Sequence, residues 1–110
     1  MAYVYEISFD LPRDRMGELQ IGQSLQRVLG YLRVNLPAQP GHVTSEAWYS
    51  LDDEEVLRIV FFSAWASWED LEAHRASALF EDKVLTEFAP HIDAAALTHR
   101  LYAEVGTEPV

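Results

Sequence analysis

The stretch Val56-Leu-Arg-Ile-Val-Phe-Phe-Ser-Ala-Trp65, continued by Ala-Ser-Trp-Glu-Asp-Leu-Glu-Ala-His74, decides the fold. From Val56 to Phe62 it is apolar on odd and even positions alike, apart from Arg58. Side chains alternate along a strand, so such a run reads as a strand, Val56 to Trp65, with both faces covered. Ser67 followed by Asp70 then fits the Ser-x-x-acid capping box, in which hydroxyl and carboxylate satisfy the free amide donors of a helix's first turn. A helix is expected from Trp68, with Leu71, His74 and Ala78 lined up on one face by i, i+3 and i+7 spacing. His74 is then turned toward whatever Leu71 packs against.

Upstream, Tyr3, Tyr5, Ile7 and Phe9 alternate with Val4, Glu6 and Ser8, the period-two signature of a first strand that Asp10-Leu-Pro12 ends. A helix from about Arg13 to Leu36 follows from the spacing of Leu25, Val28, Leu29, Leu32 and Leu36, weakened locally by Gly22 and Gly30. Pro37, Pro40 and Gly41 close it and lead into a strand from His42 to about Leu51. The acidic turn Asp52-Asp-Glu-Glu55 returns the chain to the decisive strand. Downstream, Phe80, Val84 and Phe88 mark a further helical segment that Pro90 stops, and Ala94 to Val105 is expected to be the last strand. The order βαββαβ is the ferredoxin-like arrangement, an α+β fold with a four-stranded antiparallel sheet and helices on one face. Residues 1–105 read as one domain and 106–110 as a flexible C-terminal tail.

Helices can cover only one face of that sheet. A second copy packing on the bare face satisfies the decisive strand, so a homodimer through the sheet face is expected. The chain has 110 residues, no cysteine and a net charge of −10. Disulfides and thiolate chemistry are thereby excluded, and a nucleic-acid or anionic membrane partner is disfavoured by charge repulsion. No stretch approaches the roughly 18 apolar residues of a membrane span, and a cytoplasmic location is the expectation.

Pro40-Gly41 before the second strand, Trp65 at the end of the third, and Trp68-Glu-Asp-Leu-Glu-Ala-His74 opening the helix together resemble the antibiotic biosynthesis monooxygenase group of dimeric α+β barrels. Within it the chain is most similar to the quinol-monooxygenase type, whose helix also reads Leu-Glu-Ala-His. That resemblance implies a cofactor-independent monooxygenase acting on a small aromatic quinol or polyketide-like substrate. The same architecture also carries binders without turnover, which keeps a non-catalytic dimeric small-molecule-binding protein as the alternative. Haem-degrading members place an asparagine on the first strand, a tryptophan where His74 stands and a haem-ligating histidine where Val84 stands. Asn35, the one asparagine, lies outside the first strand, so no haem and no other cofactor is expected. Anthrone oxygenases of the group carry an asparagine and a tyrosine where this chain has Phe61 and Leu71.

In such folds the pocket lies between sheet and helices. The third strand would offer Leu57, Ile59, Phe61, Ser63 and Trp65, opposite Leu71, His74, Leu85 and Phe88, a greasy cavity suited to a small hydrophobic aromatic ligand. His74 is the expected catalytic base or phenol anchor, with Trp65 as wall and Ser63 as a hydrogen-bond donor. Each has a plainer reading: His74 satisfied by a neighbouring carbonyl or carboxylate, and Trp65 as core packing. Tyr3, Tyr5, Trp48 and Tyr49 read as sheet or interface aromatics. Arg58 is expected to pair with Glu46, Glu6 or a partner residue, and His91 with Glu87 to form a relay toward His74. His42, His91 and His99 show no ligand spacing, so no metal site is expected.

Overall fold

The structure is a computed structural model and describes residues 2–105; residues 106–110, expected to form the tail, lie outside it. Four antiparallel strands, β1 (Tyr3–Pro12), β2 (His42–Tyr49), β3 (Val56–Trp65) and β4 (Thr98–Ala103), form one sheet in the order β2-β3-β1-β4. Helices α1 (Leu19–Val34), α2 (Trp68–Ser77) and α3 (Leu79–Phe88) pack on one side of it. This is the ferredoxin-like α+β arrangement expected from the βαββαβ order.

Alternation explains which side is which. Tyr5, Ile7, Phe9 and Leu11 of β1 and Leu57, Ile59, Phe61 and Trp65 of β3 face the helices and are buried. They meet Ile21, Val28 and Leu32 of α1, Leu71 of α2, and Phe80, Val84 and Phe88 of α3. Each such side chain contributes about 1.5–3 kcal/mol by leaving water. The other side carries Val4, Val60, Phe62 and Ala64, all partly exposed, and among the described residues no helix covers it.

Several boundaries differ from expectation, among them α1, which ends at Val34 rather than Leu36, and β4, which ends at Ala103 rather than Val105. β1 runs on to Pro12 because Leu11 continues the buried alternation and pairs with Leu57. Its pairing with β4 stops at Ser8, so Pro12 lies where β1 has β3 alone as neighbour, a place where a missing N–H does no harm. Helix α1 begins only at Leu19. Arg13–Arg15 form a short 3-10 turn with no buried residue, and the apolar stripe that docks the helix starts at Ile21. β2 ends at Tyr49, after which the Ser50 amide donates to Arg58 O and the chain turns away. β4 starts at Thr98, since Asp93 caps a 3-10 turn over Ala94–Ala96 by accepting from the Ala96 amide.

At the start of α2, Ser67 Oγ accepts from the Asp70 amide at 3.1 Å and donates to the Asp70 carboxylate at 2.9 Å. The same carboxylate packs onto Gly41, whose φ is +79°. A β-carbon there would collide with Asp70, and the backbone is in the left-handed region. Gly41 O also accepts from the Ala66 amide at 2.8 Å, tying the entry to β2 to the exit from β3. Ala78, expected to continue the α2 face, instead adopts φ 55° and separates α2 from α3.

Candidate functional site

Trp65 ends β3 with no exposed surface, and the helix that the Ser67 cap starts brings His74 over it. The two rings stack with centroids 4.5 Å apart and planes 24° apart. His42, at the start of β2, sets its ring on the indole nearly at right angles, 5.5 Å away, and its Nε2 meets Ser45 Oγ at 2.6 Å. Ser63, two residues before Trp65 and on the same face, accepts the indole N–H at 3.0 Å. The tryptophan is thus held by its neighbours on every polar and aromatic side.

His74 is only half satisfied. Its Nδ1 lies 2.9 Å from Gln39 Oε1, in the loop that Gly41 closes. With the amide oxygen presented there, Nδ1 carries the proton and Nε2 keeps a free lone pair, an assignment that follows from the hydrogen-bond network. That Nε2 is buried with no hydrogen-bond partner. Burial first, and the nearby His42 second, push the imidazole down to about 4, so it is neutral at physiological pH. Burial lowers His42 in the same direction.

Tyr5, read from the sequence as a sheet or interface aromatic, turns out to belong here. Its ring sets an edge toward His74 at 5.8 Å, and its hydroxyl lies 2.8 Å from His99 Nδ1 on β4. His99 Nε2 in turn faces Glu81 of α3 at 3.5 Å, an electrostatic contact rather than a short hydrogen bond. Burial chiefly, then Glu81, raise the Tyr5 phenol to about 12, while Arg75 pulls the other way. Sequence spacing could not reveal this set, because its members come from β1, β4 and α3. The available signals were a tyrosine on the inward parity of β1 and a histidine on that of β4.

The remaining expected pocket residues are placed as follows. Phe61 and Phe88 are closed into the core with Phe9 and Phe80, at centroid distances of 4.9 to 6.2 Å. Leu71 is fully buried and Leu85 half-buried against the same core. Ile59 borders a groove of about 280 Å³ between α1 and β2, with Leu25, Leu29 and Tyr49. Ser63 is buried and its oxygen accepts from the Trp65 indole, which fixes it in the wall beside that ring. A wider concavity of about 440 Å³ lies on the uncovered side of the sheet, lined by Val4, Thr44, Glu46, Phe62, Ala64 and Tyr102.

Two expected pairings are corrected. Arg58 joins Asp10, its cross-strand partner on β1, at 3.0 Å rather than Glu46 or Glu6. Glu46 accepts from the Trp48 indole instead, and buried Glu6 accepts from Tyr102. His91 and Glu87 do not form a relay, because His91 Nδ1 meets Arg15 while Glu87 pairs with Arg27 and Lys83. Among the described residues no group of three or more His, Cys, Asp or Glu is placed to hold a metal ion, and no helix is long and apolar enough to cross a membrane.

No protein-family model matches the chain, and no curated protein matches it. Solved structures share its fold over nearly its whole length. A Nitrosomonas europaea protein assigned as an antibiotic biosynthesis monooxygenase is 17% identical, with a TM-score of 0.65 over 98% of this chain and 94% of its own. A variant of SnoaB, a cofactor-independent oxygenase from Streptomyces nogalater, is 15% identical, with a TM-score of 0.65 over 99% and 98%. A dimeric ferredoxin-like protein of unknown function from Jannaschia sp. CCS1 is 15% identical, with a TM-score of 0.65 over 93% and 99%. The resemblance read from Pro40-Gly41, Trp65 and the opening of α2 is met by these neighbours, and at such identities the likeness establishes the fold.

Proposed function

We propose that the chain is a homodimeric, cofactor-independent monooxygenase for a small aromatic quinol or related polyketide-like substrate. The observation that carries this reading is the neutral His74, stacked on Trp65, with an Nε2 that is buried and unpartnered. A buried acceptor without a donor is destabilising by about 1–3 kcal/mol, and a phenolic hydroxyl is the kind of group that would satisfy it. The substrate's ring would lie against Trp65. Because Trp65 and Leu71 have no exposed surface, admission requires α2 or the Gln39–Gly41 loop to shift.

In this reading the substrate itself reduces O2 once ionised, one oxygen atom entering the product and the other leaving as water. His74 anchors the hydroxyl rather than taking its proton outright. An ordinary phenol near pKa ~10 sits six units above an imidazole at about 4, and at about 1.4 kcal/mol per unit full transfer is uphill by about 8 kcal/mol. The uncovered sheet side, with Phe62, Val4, Val60 and the 440 Å³ concavity, supports packing of a second copy. Two neighbours of the same fold, from Jannaschia and Bacteroides fragilis, are described as dimeric.

Phe61 and Leu71, packed into the core where anthrone oxygenases of the group carry polar residues, favour a second reading, a dimeric binder without turnover. Oxygen uptake with a panel of quinols and anthrones separates the two. The oxygenase reading expects uptake that His74→Ala weakens through a raised KM while the dimer stays intact. Binding of the same compounds with no uptake would favour the binder. A monomer by light scattering behind a sizing column would contradict the sheet-face dimer.

A further inference from the structure

We propose that Tyr5, His99 and Glu81 form a proton relay that carries the hydroxyl proton of a phenolic substrate from the buried site to the protein surface. The proposal rests on the quinol-oxygenase reading and supplies the base that His74 does not.

The sheet register builds the relay. Tyr5 stands opposite Leu101 and His99 opposite Ile7, so Tyr5 and His99 are diagonal neighbours on the helix-facing side of the β1–β4 pair. Their rings stack at 6.0 Å with planes 19° apart, which brings the hydroxyl to 2.8 Å from Nδ1. Tyr5 is 4% exposed, whereas the His99 and Glu81 side chains are 36% and 30% exposed. The chain of groups therefore starts in the core beside His74 and ends in water.

Its direction follows from the charges around it. The Glu81 carboxylate faces Nε2, which places the imidazole proton on that nitrogen and leaves Nδ1 to accept from Tyr5. The tyrosine oxygen keeps its lone pairs for the second hydroxyl of a quinol whose first is held by His74. Arg75 of α2, itself paired with Glu72, is the other charged group that acts on Tyr5. The division of labour is that of a Ser-His-Asp triad with tyrosine as the first member. As the substrate O–H bond breaks, its proton passes to the Tyr5 oxygen while the Tyr5 proton passes to His99 Nδ1. The products are a phenolate, a neutral tyrosine and an imidazolium opposite Glu81, and the imidazolium then releases one proton to water. Tyr5 is the catalytic residue of this set; His99 and Glu81 act through it.

Nitrogen-15 NMR of the histidine rings in the intact protein tests the relay without a ligand. His99 is expected as the Nε2–H tautomer, with an Nδ1 signal that moves in Tyr5→Phe. An Nδ1–H tautomer would overturn the relay, because the Tyr5 proton would have no receiver. With a turned-over quinol, Tyr5→Phe and His99→Gln should each lower kcat about 10²-fold or more with little change in KM, whereas His74→Leu should raise KM. Undiminished kcat in Tyr5→Phe would also overturn it. Wild-type protein inert toward every quinol overturns the oxygenase reading instead, and with it the substrate assigned to the relay.

Discussion

The helix-facing side of the sheet has two ends built from the same two strands, and they use burial in opposite ways. At one end Phe9 of β1 and Phe61 of β3 meet Phe80 and Phe88, an aromatic cluster that carries no polar side-chain atom. At the other, Tyr5 of β1 and Ser63 and Trp65 of β3 meet His74, His42 and His99. The four phenylalanines at one end and Tyr5, Ser63, Trp65 and His74 at the other are nearly solvent-free, yet only the second end has a lone pair without a donor and side chains pushed to about 4 and about 12. The difference teaches that burial alone marks a core. Burial together with incomplete hydrogen bonding and displaced ionisation marks a candidate site.

The contrast can be broken in three ways. Phe88→Ala should give the largest effect, a loss of about 3–5 kcal/mol in urea unfolding, as expected for an aromatic removed from a closed core. A loss below about 1 kcal/mol would mean that the phenylalanine end is as loosely satisfied as the other. Next comes pH. The His74 imidazole is held down at about 4 in the folded chain, against an ordinary 6.5, so between those values the unfolded chain binds a proton that the folded chain refuses. Its contribution is complete above pH 6.5 and is lost progressively down to pH 4, by about 3 kcal/mol in all. Stability measured across that window in the wild type and in His74→Leu isolates the effect, and parallel curves would refute it. The smallest change is His74→Leu at pH 7.5. Removing the unpartnered nitrogen, with half-buried Gln39 free to turn to water, should raise stability by about 1 kcal/mol while weakening ligand binding. A destabilised variant would show that His74 serves packing alone.

Much of the architecture was legible because it rests on periodicity and local chemistry. The both-faces-apolar run predicts β3 from Val56 to Trp65, and the Ser67–Asp70 pair predicts the start of α2 at Trp68; the structure has both. Boundaries failed where tertiary contacts outweigh local preference, as at Leu11, whose pairing with Leu57 extends β1, and at Arg13–Arg15, which bury no residue and are held by polar contacts to Glu55 and His91 instead. The inward turn of His74 was legible from its spacing to Leu71. Its pairing with Gln39 was not, since that contact spans 35 residues through a loop.

By itself the sequence determined the βαββαβ order, the inward faces and the meeting of Trp65 with His74, because alternation and helical spacing act within a few residues. Only the tertiary structure decided that Nε2 of His74 lacks a partner, that Arg58 joins Asp10, and that Tyr5 reaches Glu81 through His99. Those outcomes depend on strand register and on which helix closes over which end of the sheet. Hydrogen bonding and desolvation act across that assembled distance, and no spacing along the chain encodes it.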